Sequence, residues 1–180
     1  MTVIRCNEQY KKAVQQICLD VAGEERGTKK SRYLLAMYCD NYLENEIALV
    51  LLDDNKPIGY ILCAPDYDAY EEHMRPYLRK IRKLPPLYFL MAKGEMPGYR
   101  QYKDEYPAHL HVDILEECTG RHGGTLLMEA LCDELKIRGI PGLMLQVAAG
   151  NKRAISYYQK MGFEVLDQNS HVLKMGKKLA

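Results

Sequence analysis

The segment from His109 to Phe163 constrains the fold of this chain more than any other, because a strand, a glycine-containing turn that opens a helix, a second strand and a short helix follow one another there. His109-Leu-His-Val-Asp-Ile-Leu115 alternates, placing Leu110, Val112 and Ile114 on one face of a strand and His109, His111 and Asp113 on the other. Gly123 to Ile137 carries Leu126, Leu127, Ala130, Leu131 and Leu135 at helical spacing, and Gly139-Ile-Pro-Gly142 stops it. Leu143 to Val147 reads as another strand, Lys152 to Met161 as a helix, and Phe163 to Leu166 with His171 to Met175 as a closing strand pair. The turn Thr119-Gly-Arg-His-Gly-Gly124 aims backbone N–H groups and the positive end of a helix dipole at one spot, which is how a pyrophosphate is held.

Upstream, Thr2 to Arg5 reads as a short strand and Glu8 to Val21 as a helix with a broad apolar face. Ser31 to Tyr42 is a second helix whose tyrosines either pack in the core or line a pocket. Two apolar β-rich runs, Glu46 to Leu52 and Pro57 to Ala64, flank Asp53-Asp-Asn-Lys56 and make a hairpin. Asp66 to Lys83 returns to helical spacing until Leu84-Pro-Pro86, whereas Gly94, Pro97 and Gly98 leave Leu87 to Tyr106 without a definable pattern. Strands with intervening helices imply a mixed α/β (α+β) layer, one domain over residues 1–180, with a helical insertion around 66–106 that covers either an acceptor site or a sheet edge.

Lys plus Arg is 25 against 24 for Asp plus Glu, so a net charge of +1 offers no general attraction to nucleic acid or an anionic membrane. No leader-like segment opens the chain and no apolar run approaches the roughly 20 residues that span a bilayer, so a soluble, cytoplasmic protein is expected. Cys6, Cys18, Cys39, Cys63, Cys118 and Cys132 show no CxxC and no zinc spacing, which fits small buried side chains in a reducing compartment and predicts no metal. Cys118, just before the turn, is the one thiol to which a helix start could lend reactivity.

Asn151-Lys-Arg-Ala-Ile-Ser-Tyr-Tyr-Gln-Lys-Met-Gly-Phe163 resembles the later helix of the GCN5-related N-acetyltransferase (GNAT) family, Asn-x-x-Ala-x-x-x-Tyr-x-x-x-Gly-Phe, at Asn151, Ala154, Tyr158, Gly162 and Phe163. The family's phosphate loop, Gln/Arg-x-x-Gly-x-Gly/Ala, fits less closely: with Gly124 as its last glycine, Thr119 stands at the Gln/Arg position and His122 at the first glycine. Ile58-Gly-Tyr-Ile-Leu-Cys-Ala-Pro-Asp66 and Arg75-Pro-Tyr-Leu-Arg79 are also similar to the acetyltransferase-like domain of some O-GlcNAc hydrolases and its free-standing bacterial relatives.

The resemblance implies a GNAT-like acyl-CoA N-acyltransferase fold, with a mixed sheet, splayed fourth and fifth strands and helices on both faces. It further implies acetyl-CoA as co-substrate and an amine acceptor, either a small molecule or a peptide. In that family the pantetheine arm lies between the splayed strands, which implicates the backbone of Ile114, Leu115 and Glu116. Thr119, Gly120, Arg121, His122, Gly123, Gly124 and Thr125 would surround the phosphates, and Asn151 would contact the carrier, cap the helix that follows, or both. Tyr158 matches the general acid; Asp113 is the first candidate base and His111 the second, against simpler roles as a paired carboxylate and a surface imidazole. A non-catalytic acyl-CoA-binding or sensor module of the same fold, a purely interacting domain with a blocked cleft, and a homodimer stay open.

Overall fold

The computed structural model describes residues 1–179; residue 180, the last of the expected domain span, lies outside it. In chain order the elements are β1 (Thr2–Arg5), α1 (Glu8–Val21), α2 (Lys29–Tyr38), α3 (Asp40–Asn45), β2 (Ile47–Asp53), β3 (Lys56–Ala64), α4 (Tyr67–Ile81), α5 (Pro86–Arg100), β4 (Ala108–Ile114), α6 (Gly123–Ile137), β5 (Gly142–Ala148), α7 (Lys152–Lys160), β6 (Glu164–Gln168) and β7 (Val172–Lys178). The strands form one sheet in the order β1-β2-β3-β4-β5-β7-β6, antiparallel except where β4 meets β5. Among the described residues, no helix is long and apolar enough to cross a membrane.

Alternation along the central strands divides the core in two. Val50, Leu52, Tyr60 and Leu62 pack with residues of α1 to α5, including Val14, Tyr33, Tyr42, Tyr70 and Ala92. Leu49, Leu51, Ile61 and Cys63 pack on the other face with Leu127 and Leu131 of α6, and the partly buried Tyr157 and Tyr158 of α7 join them. A strand covered on both faces needs apolar side chains at every position, which is why β2 is buried from Ile47 to Leu52 and reads as a continuous run rather than an alternating one. Five of the six thiols are buried and Cys6 is partly so; Cys118 is among the buried ones, in a single 3-10 turn at Glu116–Cys118. At the hairpin between β2 and β3, Asp54 and Asn55 both adopt positive φ (47° and 63°), the paired left-handed geometry of a tight β-turn.

The elements depart from the sequence-based expectation at two places. The single helix expected over Ser31 to Tyr42 is two helices, because Cys39 leaves the helical region (φ −132°, ψ −64°) without a glycine or proline to announce the break. The ambiguous stretch after Leu84 is the helix α5, whose Pro86 sits in its first turn, where a missing N–H costs little. Pro97 lies inside that helix, and Gly98 lets it lie against β5: a Cβ there would stand 2.8 Å from Gln146 Nε2. Tertiary packing fixes a stretch whose local signals define no pattern.

Alternation puts His109 on the polar face of β4 with His111 and Asp113, where a surface imidazole is expected, but it is buried. Its ring is 1 % exposed inside a cage of tyrosines, stacked on Tyr99 with centroids 4.3 Å apart and edge-on to Tyr70 at 4.4 Å. Neither ring nitrogen has a hydrogen-bond partner among the described residues. Burial, then the neighbouring His111, depresses its pKa well below the ordinary value, and burial alone pulls His111 down to about 4. Both rings are therefore neutral when folded but protonate below about pH 6.5 when unfolded, so the unfolded chain gains protons and stability falls as the pH drops from 6.5 towards 4. His109→Phe keeps a ring in the stack and removes the unpaired nitrogens. Chemical denaturation is expected to show a gain of about 1 kcal/mol at pH 7 and a shallower loss on acidification, and an unchanged acid slope would contradict this reading.

Candidate active site

The site begins where two strands part. β4 and β5 pair only at Ala108–Leu143 and His109–Met144, after which β4 keeps β3 as its partner up to Ile114 and β5 keeps β7 up to Ala148. The N–H of Leu115 donates to the Ile58 carbonyl at 3.0 Å, so by alternation the amides of Val112 and Ile114 face away from β3, into the gap. Of the three backbone positions implicated from sequence, Ile114 thus retains an amide turned towards the gap, whereas that of Leu115 is engaged in the sheet. Glu116 begins the 3-10 turn, and its carbonyl accepts from both the Thr119 N–H (3.1 Å) and the Thr119 hydroxyl (2.8 Å).

A cleft of about 340 Å³ opens in this gap. Leu110 to Asp113 of β4 and Leu145 to Ala148 of β5 form one side; Cys18, Val21 and Ala22 at the end of α1, with Leu34 and Tyr38 of α2, form the other. Asn151 and Tyr158 complete it. Tyr158, Asp113 and His111, named separately from the sequence, therefore line one cavity.

Each of the three is held differently. The Tyr158 ring packs edge-on to Phe163 at 5.7 Å and beside Tyr157 at 5.3 Å; burial, then the neighbouring Tyr157 and Asp113, raises its pKa above that of an ordinary phenol. Asp113 accepts a hydrogen bond from the Tyr60 hydroxyl through Oδ2. Burial raises its carboxyl above the usual carboxylate range, and the Tyr60 bond opposes that rise without cancelling it. His111 stands edge-on to Tyr38 and Tyr42 at 5.1 and 5.2 Å, and its depressed pKa makes it a neutral imidazole near pH 7. The surface position allowed for it from sequence does not hold.

The phosphate-loop residues gather at the start of α6. Gly120 (φ 80°) and His122 (φ 63°) both take the left-handed conformation, so freedom resides at Gly120 and His122 adopts a strained one. No side chain caps α6, whereas Asn7, Thr28, Asp66 and Asn151 cap α1, α2, α4 and α7. Close packing explains Gly123 and Gly124: a Cβ at the first would come 2.5 Å from Leu51 Cδ2, and at the second 3.2 Å from the Tyr157 hydroxyl. That second contact joins the turn to α7, since Tyr157 touches the first turn of α6 while Tyr158 beside it faces the cleft. Thr125, partly buried, follows in the same turn. Arg121 is paired with Asp53 at 2.8 Å. Asn151 both lines the cleft and caps α7, with Oδ1 accepting from the Ala154 N–H at 3.1 Å.

Sequence reasoning missed several wall residues. Of the tyrosines around α2, Tyr38 lines the cleft, while Tyr33 and Tyr42 are core. The Tyr38 hydroxyl donates to Glu95 of α5, whose carbonyl accepts from Gln146 Nε2 at 3.3 Å. The insertion thus braces the cleft wall, through contacts between residues 51 or more positions apart that no local pattern could announce. Among the described residues, no group of three His, Cys, Asp or Glu side chains could hold a metal ion.

The family model described as acetyltransferase (GNAT) family matches residues 12–163. An L-methionine sulfoximine/L-methionine sulfone acetyltransferase from Pseudomonas aeruginosa is 26% identical over 88 residues, covering 45% of this chain and 51% of that protein, so the match spans about half of that relative's length. Among solved structures, SsHAT superposes with a TM-score of 0.86 at 23% identity over 99% of this chain and 98% of that one. The PaiA N-acetyltransferase from Thermoplasma acidophilum, solved with coenzyme A, superposes at 0.61 with 19% identity over 99% of both chains. At these identities the structural likeness shows the fold.

Proposed function

The chain belongs to the acetyltransferase (GNAT) family, and from that membership we propose that it moves an acetyl group from acetyl-CoA to a primary amine by direct attack within a ternary complex. The observation that carries this reading is that Tyr158 and Asp113 line one cleft between strands that pair only at their start. Acetyl-CoA supplies an acetyl group activated as a thioester. The cleft suits it: the free amides of Val112 and Ile114 lie along the gap, and the uncapped start of α6, closely packed through Gly123 and Gly124, suits a diphosphate. Thr119, Gly120 and His122 precede that start and Thr125 lies in its first turn, while Asn151 lines the cleft. Arg121 would reach an anion only by sharing or leaving Asp53.

Asp113 takes one proton from the incoming ammonium, leaving a nitrogen lone pair to form the C–N bond as the C–S bond breaks. Tyr158 gives its proton to the departing sulfur. The second nitrogen proton then leaves, and the phenol regains its own, so the products are amide, thiol and one proton released to solvent. Burial raises the phenol's pKa, so Tyr158 stays protonated until the departing thiolate takes its proton. His111, neutral and adjacent, is the second candidate for relaying the amine proton.

The second reading, an acyl-CoA-binding module without turnover, is favoured by Thr119 and His122 in the loop and by the engaged Arg121. Calorimetry with acetyl-CoA followed by an amine panel monitored for free thiol separates the two. Saturable binding with amine-dependent thiol release is expected, and binding without release from any amine supports the module. Asp113→Asn should lower kcat/KM roughly 100-fold. Because Asp113 must be ionised to accept a proton and its pKa is raised, wild-type activity should climb with pH through that ionisation. The asparagine variant should lose that limb of the pH–rate profile.

A further inference from the structure

Resting on the transfer reading above, we infer that the acceptor is a lipophilic primary amine bearing no carboxylate or other anionic group, its ammonium end drawn to Asp113 and its body seated on the wall made by Cys18, Val21, Ala22 and Leu34. Charge carries the first half of this. Among the described residues lining the cleft, Asp113 is the only carboxylate and there is no Lys or Arg. An ammonium entering the cleft gains a buried counter-ion, whereas a carboxylate on the same molecule would be desolvated without a cation and placed near a like charge.

Hydrogen-bonding capacity carries the second half. The Tyr38 hydroxyl is spent on Glu95, the Gln146 amide N–H on the Glu95 carbonyl, the Asn151 carbonyl oxygen on the Ala154 N–H, and the Tyr60 hydroxyl on Asp113. A polyhydroxylated amine would bury hydroxyls against the wall of Cys18, Val21, Ala22 and Leu34, which carries no side-chain nitrogen or oxygen to pair them, and unpaired buried hydroxyls are costly. The α1 side instead offers apolar surface out to Val21, which is 45% exposed at the mouth. Free amino acids and amino sugars are thus disfavoured by different features of one cavity.

The test uses the full chain with acetyl-CoA and matched acceptors that differ by one carboxylate: 2-phenylethylamine against phenylalanine, and 3-methylbutylamine against leucine, with glucosamine as the hydroxylated amine. Thiol release should give each plain amine a kcat/KM at least ~100-fold above its amino acid, consistent with discrimination against an unpaired buried group. Equal or better use of an amino acid or of glucosamine would overturn the inference while leaving acetyl transfer standing. Acetyl-CoA binding with no thiol from any acceptor would overturn the transfer reading and this inference with it. Val21→Arg adds a cation at the C-terminal end of α1, where the helix dipole favours it, and should move the amine-to-amino-acid ratio at least ~10-fold towards the amino acids. A folded variant with an unchanged ratio would overturn the placement of the acceptor.

Discussion

Tyr158→Phe is expected to lower kcat roughly 100- to 1,000-fold, the range general acid catalysis supplies, while leaving acetyl-CoA affinity nearly unchanged. The substitution removes one oxygen and keeps the ring that packs against Phe163 and Tyr157, so α7 and the wall of the cleft should stay in place. The phenol's raised pKa keeps it protonated through the neutral range, the state from which it can protonate a sulfur. A purely structural role for Tyr158 predicts a different result, namely lost stability or weakened binding with kcat kept. Steady-state kinetics alongside calorimetry distinguishes the two, and equal kcat in the two proteins would remove Tyr158 as the acid.

The second large effect is expected at the start of α6. An acidic residue in the first turn of a helix stabilises it, because the exposed N–H groups and the dipole favour negative charge there. The same charge competes with a diphosphate for those groups. Thr125→Asp should therefore hold or raise the melting temperature by a degree or two, in line with a dipole contribution of about 0.5 kcal/mol, yet weaken acetyl-CoA binding at least roughly tenfold. The opposite signs are the informative part, since general damage to the fold would lower both. Gly124→Trp should block binding more completely by steric means, at some cost to the contact with Tyr157. Calorimetry showing wild-type affinity in both variants would move the phosphate site away from α6.

Much of the site is legible in the sequence because its parts lie in one contiguous segment. The alternation of β4, the turn before α6 and the spacing from Asn151 to Phe163 are local patterns, and the fold keeps them as strand, turn and helix. They bring Asp113, His111 and Tyr158 to one cleft because β4 and β5 are neighbours that pair only at their start. The other wall is not legible in this way. Val21 reads as part of the apolar face of a helix, and nothing in the spacing of Cys18, Val21 and Ala22 says that they face the gap rather than the core.

Elsewhere, competing physics hides the answer. Gly94, Pro97 and Gly98 argue against a helix, but close packing on β5 fixes α5 and puts Glu95 behind Tyr38. Alternation places His109 with His111 and Asp113 correctly, yet cannot show that α3, α4 and α5 enclose it with tyrosines and leave only the other two for the cleft. Leu115, implicated through its backbone, turns its N–H to Ile58, a detail set by register rather than by residue type.

The most direct test is an experimental structure of this chain with acetyl-CoA bound. The diphosphate is expected within hydrogen-bonding distance of amide nitrogens between residues 120 and 125, the pantetheine arm along the Val112 and Ile114 amides, and the sulfur within reach of the Tyr158 hydroxyl. A carrier bound outside the gap between β4 and β5, or inside it with its sulfur remote from Tyr158, would contradict the account.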